Sequence, residues 1–362
     1  MNDLSRTWAE IDLGAIRHNL SVARSHIDPA SEVLAVIKAN AYGHGALEVS
    51  RALGEQVDLL GVANLAEAVA LGWTSRDIML LSPCLPTERE AAAEADVIVT
   101  VSSFEEASAY GHLPSECRIN FKVDTGMGRI GCWHEDALPE LEKLLTLPRV
   151  HLHSVSTHLP SSSEDPEFTR QQLLTFSGFV AKARLLHPTF KVHALNSAGI
   201  FLHAEHSANI VRLGLSLYGI GDSKEHQSKL KPALTWKARV LLLRSLPPGR
   251  TISYGRTFTT DRTTRVATIS VGYGDGYPRQ ASGNGATVLV GGLHCPVLGR
   301  VTMDQILVDV SHVPQVNLGA EVVLIGRQGH QEINARDLAE KASTIAWHLF
   351  TGIGPRVMRI YL

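Results

Sequence analysis

A chain of 362 residues, 44% hydrophobic and 19% charged with a formal net charge of −2, has the balance of a soluble globular protein with one large domain and a smaller one. No run of Lys or Arg stands out, so neither nucleic acid nor an anionic membrane surface is indicated as a partner. No apolar stretch is long enough to span a bilayer, and the start, Met1-Asn-Asp-Leu-Ser-Arg-Thr-Trp, lacks the basic-then-apolar order of a signal peptide.

In chain order, short apolar runs rich in β-branched residues read as buried parallel strands: Glu32–Lys38, Leu59–Ala63, Asp77–Leu81, Asp96–Val101, Arg118–Asp124, His151–Leu159, Lys191–Ser197 and Ile210–Gly219. Amphipathic stretches lie between them, most clearly Ala46–Leu53, Leu65–Trp73, Ala137–Leu145 and Glu167–Leu186. Eight strand–helix units predict an N-terminal (β/α)8 TIM-like barrel, with a doubly wound open sheet as the alternative. The pattern ends near Gly221, and the polar stretch Asp222-Ser-Lys-Glu-His-Gln-Ser-Lys-Leu-Lys reads as a linker. Beyond it, Leu234–Leu246, Val266–Val271, Ala286–Val290, Gln305–Val310 and Val322–Ile325 are strands separated by Gly-rich turns, followed by a helix from Asn334 to Ala342. The expected division is a barrel over 1–230 and a mainly-β domain over 231–362.

Cys84, Cys117, Cys132 and Cys295 are scattered without C-x-x-C spacing, which predicts free thiols in a reducing, cytoplasmic compartment. The 17 histidines include no H-E-x-x-H pair, and no metal site is expected.

In a barrel, chemistry sits where strands end at the C-terminal face. Lys38 closes the first strand in A-V-I-K-A-N-A-Y-G-H-G; desolvation there makes a ready Schiff-base amine, and a lysine snorkelling to water is the plain alternative. Tyr42 follows in a loop where it either reaches a phosphate or packs. Lys122 and Arg129 lie in K-V-D-T-G-M-G-R-I-G, a tight loop in which Arg129 either clamps a carboxylate or is simply solvated. His158 ends the sixth strand. Ser197, beside Gly199, suits phosphate binding at a helix N-terminus or an N-cap. Arg212, in V-R-L-G-L, needs a partner if buried, either a cofactor or an acidic neighbour. In the second domain, I-S-Y-G-R-T, G-Y-G-D-G-Y-P and G-R-V-T-M-D-Q each read as a turn on its own.

Together these motifs, in this order and from Trp8 to the end, resemble the alanine racemase family of fold-type III pyridoxal 5'-phosphate (PLP) enzymes. The resemblance implies a racemase that interconverts L- and D-alanine with two bases, Lys38, which also carries PLP, and Tyr254, supplied by the partner subunit of a homodimer. It implies that Tyr42, Ser197, Gly214 and Leu215 surround the phosphate, that Arg212 meets the pyridine nitrogen, and that His158 sits behind Tyr254. It further implies that Arg129, Met303 and Asp304 hold the substrate carboxylate, that Tyr273 lines the entry path, and that Lys122 occupies a position carbamylated in some members. Trp347, His348 and Pro355 depart from the family's commoner residues and bear on substrate breadth. A serine or broad-specificity racemase, a non-catalytic PLP-binding barrel, and a decarboxylase using Cys295 are the competing readings.

Overall fold

The structure, a computed structural model, describes residues 5–72, 74–206 and 209–362. Trp73, the expected end of one helix, lies outside the described residues. The chain divides into two compact units. One comprises Ala15–Ala41 and Ala46–Lys231; the other comprises residues 5–14, Tyr42–Gly45 and Pro232–Leu362.

The first unit is a ring of eight parallel strands: β1 (Glu32–Val36), β2 (Leu59–Val62), β3 (Asp77–Leu80), β4 (Val99–Val101), β5 (Cys117–Asp124), β6 (Val150–Ser156), β7 (Lys191–His193) and β8 (Ile210–Leu213). β8 pairs back onto β1, with Ile210 opposite Glu32, and β3 meets β4 through a Met79–Ile98 bridge. Between β7 and β8, Arg212 N–H donates to Leu195 O at 3.0 Å. Every residue of β2 and β8 is buried, as expected for strands covered on both faces.

Most of the expected strands end within two residues of expectation, but those expected to reach Leu159, Ser197 and Gly219 stop earlier, at Ser156, His193 and Leu213. Asn196 caps the helix Ser197–Leu202 by accepting from Gly199 N–H, so β7 ends at His193. Gly214 opens a 3₁₀ turn, Leu215–Tyr218, so β8 ends at Leu213. β6 ends at Ser156, after which Thr157 N–H makes one further bond to His193 O of β7. The linker is also more ordered than its polarity predicts: Ser223 caps a short helix, Lys224–Lys229.

The outer layer is helical. In Pro166–Leu186, Asp165 caps the first turn, Pro166 starts it, and Leu173, Phe176 and Phe179 face inward, with Phe179 6.4 Å from Phe121 of β5. A helix not singled out from the sequence, Leu13–Arg24, carries the fully buried Asn19. Its amide donates to Leu217 O (3.0 Å) and Lys231 O (2.8 Å), and its carbonyl accepts from Lys231 N–H (2.8 Å).

The second unit is a closed ring of six antiparallel strands: Leu234–Leu246, Thr264–Ile269, Ile306–Asp309, Leu293–Leu298, Thr287–Val290 and Glu321–Gln328, the last returning to the first. Thr7–Ile11 adds antiparallel to Leu234–Leu246, and Met358–Tyr361 adds parallel to Thr7–Ile11. Trp236 is fully buried and donates to Thr7 Oγ1 at 3.1 Å.

Replacing Asn19 by Ala orphans two carbonyls and one N–H around the end of the barrel unit. We expect a loss of about 2–4 kcal/mol, read as a lower urea midpoint. An unchanged midpoint would show that water replaces those bonds without cost.

Candidate active site

Lys38 lies two residues beyond the end of β1, and the four residues after it, Ala39, Asn40, Ala41 and Tyr42, all have φ between 51° and 54°. This is one turn of left-handed helix built from non-glycine residues, a conformation that costs on the order of 1–2 kcal/mol per residue. Two features offset that cost. Ala39, Asn40 and Ala41 present small or locally bonding side chains, and the Glu67 carboxylate accepts from Ala39 N–H (2.8 Å) and Ala63 N–H (2.7 Å). Glu67 thereby ties the rim of β1 to the rim of β2. Burial chiefly, then the nearby Arg129 cation, lowers the Lys38 ammonium from its ordinary range, with Glu67 acting against both.

At the end of β8, Arg212 is buried with no carboxylate bonded to it among the described residues. One terminal nitrogen donates to His193 Nδ1 (2.8 Å) and His193 O (3.1 Å). The other donates to Thr157 O (2.9 Å) and Ala194 O (2.8 Å), with a longer approach to His158 Nδ1 (3.4 Å). The Nε–H finds no acceptor among the described residues. Burial pulls this guanidinium down to about 10, so it remains a cation at neutral pH.

Burial first, and then that cation with its neighbours, keeps the histidines neutral. His158 is pushed down to about 2 by burial, then by Arg212, Lys122, Arg129 and Lys38. His193 is driven well below its usual range by burial, then by Arg212 and Lys122. Lys122, buried in β5, is driven far below the ordinary lysine range by burial, then by Arg212 and Arg129.

The loop after β5 is wound around Asp124, whose carboxylate accepts from Gly126, Met127 and Gly128 N–H, all at 2.8 Å. This sets the turn that presents the exposed Arg129. Gly131 closes the loop at φ +122°, where a Cβ would lie 2.9 Å from Asp124 N. Ser197 Oγ accepts from Gly214 N–H (2.9 Å) and Ser216 N–H (3.3 Å), with Leu215 between them, and the buried Ser216 hydroxyl has no partner among the described residues.

Thus Lys38, Lys122, Arg129, His158, Ser197, Arg212, Gly214 and Leu215 all lie at the C-terminal rim of the barrel unit. Tyr42, Tyr254, Tyr273, Met303 and Asp304 belong to the other unit. There, Tyr42 is pushed up to about 12 by burial. The Tyr273 and Met303 loops are zipped by Tyr273 N–H to Thr302 O (3.0 Å) and Gly274 N–H to Met303 O (2.8 Å). Arg356, next to Pro355, bridges Asp275 (3.0 Å) and Asp304 (2.9 Å). Trp347 and His348 bond locally with Thr351 and Thr344. Tyr254 stands on a 3₁₀ turn steadied by Ser253 Oγ–H to Arg300 O (2.6 Å).

Residues that sequence reading passed over are Glu67, Asp124, His193, Asn120 and Arg356. Glu67 had a signal: Asn64-Leu-Ala-Glu67 has capping-box spacing, and Asn64 does cap that helix. His193 had one too, as a polar residue in an apolar strand.

Residues 11–222 match the model of the alanine racemase N-terminal domain, and residues 233–361 match that of the alanine racemase C-terminal domain. The chain is 42% identical to an alanine racemase of Symbiobacterium thermophilum, over 100% of this chain and 98% of that one. It resembles the solved alanine racemase of Clostridium difficile 630 with a TM-score of 0.93 and 31% identity, covering 99% and 96% of the two chains. It likewise resembles the alanine racemase of Bacillus anthracis with bound L-Ala-P, with a TM-score of 0.91 and 34% identity, covering 99% and 95%.

The depressed histidines have a consequence for stability. The unfolded chain binds protons at His158 and His193 near pH 6.5, and the folded chain does not, so unfolding takes up protons below that pH. Stability contributed by keeping them neutral is intact above pH 6.5 and falls as pH drops. Each site should cost on the order of 1–2 kcal/mol by about pH 5. Urea unfolding at a series of pH values checks this; a His193→Gln protein with the same pH slope as the wild type would contradict it.

Proposed function

The chain belongs to the alanine racemase family, and we propose that its PLP-dependent interconversion of L- and D-alanine uses two bases, the Lys38 amine and the Tyr254 phenol. The observation that carries this reading is the charge of the barrel rim. The guanidiniums of Arg129 and Arg212 stand there, Arg212 has no carboxylate bonded to it among the described residues, and Asp124 is already engaged by three backbone N–H groups. Such a site attracts an anion, and a phosphorylated cofactor with a carboxylate substrate supplies two.

The donor set fits PLP. The spare Arg212 Nε–H suits an unprotonated ring nitrogen. The Ser197 oxygen already accepts twice, so its proton is free for a phosphate oxygen, as is the partnerless Ser216 hydroxyl. PLP, when bound, supplies the electron sink that acidifies the substrate Cα–H.

The protein's own part is to move protons on two faces. Burial and Arg129 shift Lys38 toward its neutral amine, the form a base requires. Tyr254 is the second base, with His158 in the network behind it. Arg129 and the Met303 backbone orient the carboxylate, with Asp304 beside them, and Tyr273 lines the approach. The Bacillus anthracis structure with L-Ala-P supports alanine as the substrate. Lys122, buried and disposed to be neutral, is suited to react with carbon dioxide; the amine becomes a carbamate with release of a proton, and the new anion faces Arg129 and Arg212.

We further propose a homodimer in which the partner subunit's Tyr254, Met303 and Asp304 complete each barrel. On the β unit Tyr254 is 69% exposed, Met303 53% and Tyr273 42%, a group of apolar side chains suited to a partner surface. A reducing, cytoplasmic setting is supported by the four free cysteines. No described helix is long and apolar enough to cross a membrane.

Incubation with each alanine enantiomer in D2O tests this reading. The wild type should exchange the α-proton of both and lose optical rotation. Tyr254→Phe should lower racemisation by roughly 10²–10⁴-fold and retain exchange with one enantiomer only. Mixing Tyr254→Phe with Lys38→Ala protein should restore activity through hybrid dimers. Racemisation by Tyr254→Phe at the wild-type rate would overturn the two-base assignment.

A further inference from the structure

Beneath the rim, the barrel unit contains a chain of buried polar side chains that runs from β3 to Arg212. Thr100 Oγ–H donates to Leu80 O at 2.6 Å. Asn120 Nδ2–H donates to Thr100 Oγ1 at 3.1 Å. Asn120 Oδ1 accepts from Ser154 Oγ–H and meets His193 Nε2, both at 3.1 Å. His193 Nδ1 meets the Arg212 terminal nitrogen at 2.8 Å. Thr100, Asn120, Ser154 and His193 are each at most 2% exposed.

The direction of every bond in this chain is fixed from both ends. A guanidinium only donates, so His193 Nδ1 must offer its lone pair, and the ring proton of a neutral His193 must lie on Nε2. That proton requires an acceptor, which is Asn120 Oδ1. At the far end, Leu80 O only accepts, so Thr100 spends its hydrogen there and must accept from Asn120 Nδ2. The amide of Asn120 has one orientation that satisfies both neighbours. Turning it over sets two donors against each other at Arg212 or two acceptors at Thr100. A second proton on His193 is refused for the same reason, because Nδ1–H would face the Arg212 N–H.

We propose that Asn120 is a positioning residue for the racemase reaction: it locks His193 as a neutral Nε2–H acceptor, which fixes the plane of Arg212 and keeps its Nε–H free for the cofactor ring. Asn120 has no role at the rim itself. It acts two side chains away, by deciding which way a buried relay points. The groups facing His193 are Arg212, Lys122 and His153, none of which supplies an anion to favour imidazolium. The inference rests on Arg212 meeting the ring nitrogen.

Two measurements test it on the full-length protein. Ring 15N NMR of histidine-labelled protein, with the His193 signal identified by its loss in His193→Gln, should show a single neutral Nε2–H tautomer at neutral pH. A neutral Nδ1–H form or an imidazolium would overturn the relay. In Asn120→Asp, the added carboxylate should convert that signal to imidazolium and turn Arg212. The number of transaminations per racemisation should then rise by roughly tenfold, the effect of losing one charged hydrogen bond, with KM for alanine nearly unchanged. Thr100→Val, a milder change at the far end, should move the same ratio in the same direction and serves if Asn120→Asp does not fold. A wild-type ratio and an unmoved His193 signal in both variants would overturn the proposal. Arg212→Lys separates the two layers: if it too leaves the ratio unchanged, the ring contact itself is wrong, whereas if it alone changes the ratio, only the role of Asn120 fails.

Discussion

A guanidinium with no carboxylate partner among the described residues organises this protein. Arg212 lies in the barrel core, where an isolated cation is costly unless hydrogen bonds replace its water. Its terminal nitrogens are satisfied by His193 and by the carbonyls of Thr157, His193 and Ala194, all at the ends of β6 and β7. Thr157 and Ala194 lie just past the ends of β6 and β7, so where those strands stop and how Arg212 is seated are one arrangement. The charge then propagates outward. It helps hold Lys122, His158 and His193 uncharged, and it leaves a single guanidinium N–H at the rim.

The other organised feature is strain. Four consecutive left-handed residues after Lys38 are unfavourable for L-amino acids, and such conformations persist where surrounding structure over-determines them. Here Glu67 holds Ala39 N–H, Ala41 N–H bonds Ile37 O at 2.8 Å, and the Asn40 side chain accepts from Ala46 N–H at 2.9 Å. The turn begins immediately after Lys38, at the C-terminal end of β1. The partial burial of Lys38 and the Arg129 charge then shift it toward the neutral form that a base needs.

Much of this was legible in the sequence because parallel barrel strands are buried on both faces and announce themselves as apolar runs. Ala46–Leu53 and Leu234–Leu246 appear with the bounds expected. What was not legible depended on distant partners. Thr7–Ile11 is a strand because Leu234–Leu246 lies beside it, a pairing across more than 200 residues of chain. Lys38 alone was ambiguous between a buried amine and a snorkelling one; the order of the motifs, not the residue, favoured the former. Asn120 read as an ordinary strand residue because its importance lies in the direction of its hydrogen bonds, and direction emerges only once Thr100 and His193 are in place on either side. Tyr254 and Met303 read as turn residues, and their exposure on the β unit is what marks them out.

The most direct test of the account is the protonation state of the cofactor's ring nitrogen, since Arg212 is the residue on which the rest turns. The protein should be reconstituted with PLP carrying 15N in the ring and its nitrogen shift recorded. A shift typical of an unprotonated, hydrogen-bonded pyridine, moving when Arg212 is replaced by Lys, is the predicted result. A pyridinium shift, or one indifferent to that replacement, would contradict the role given to Arg212.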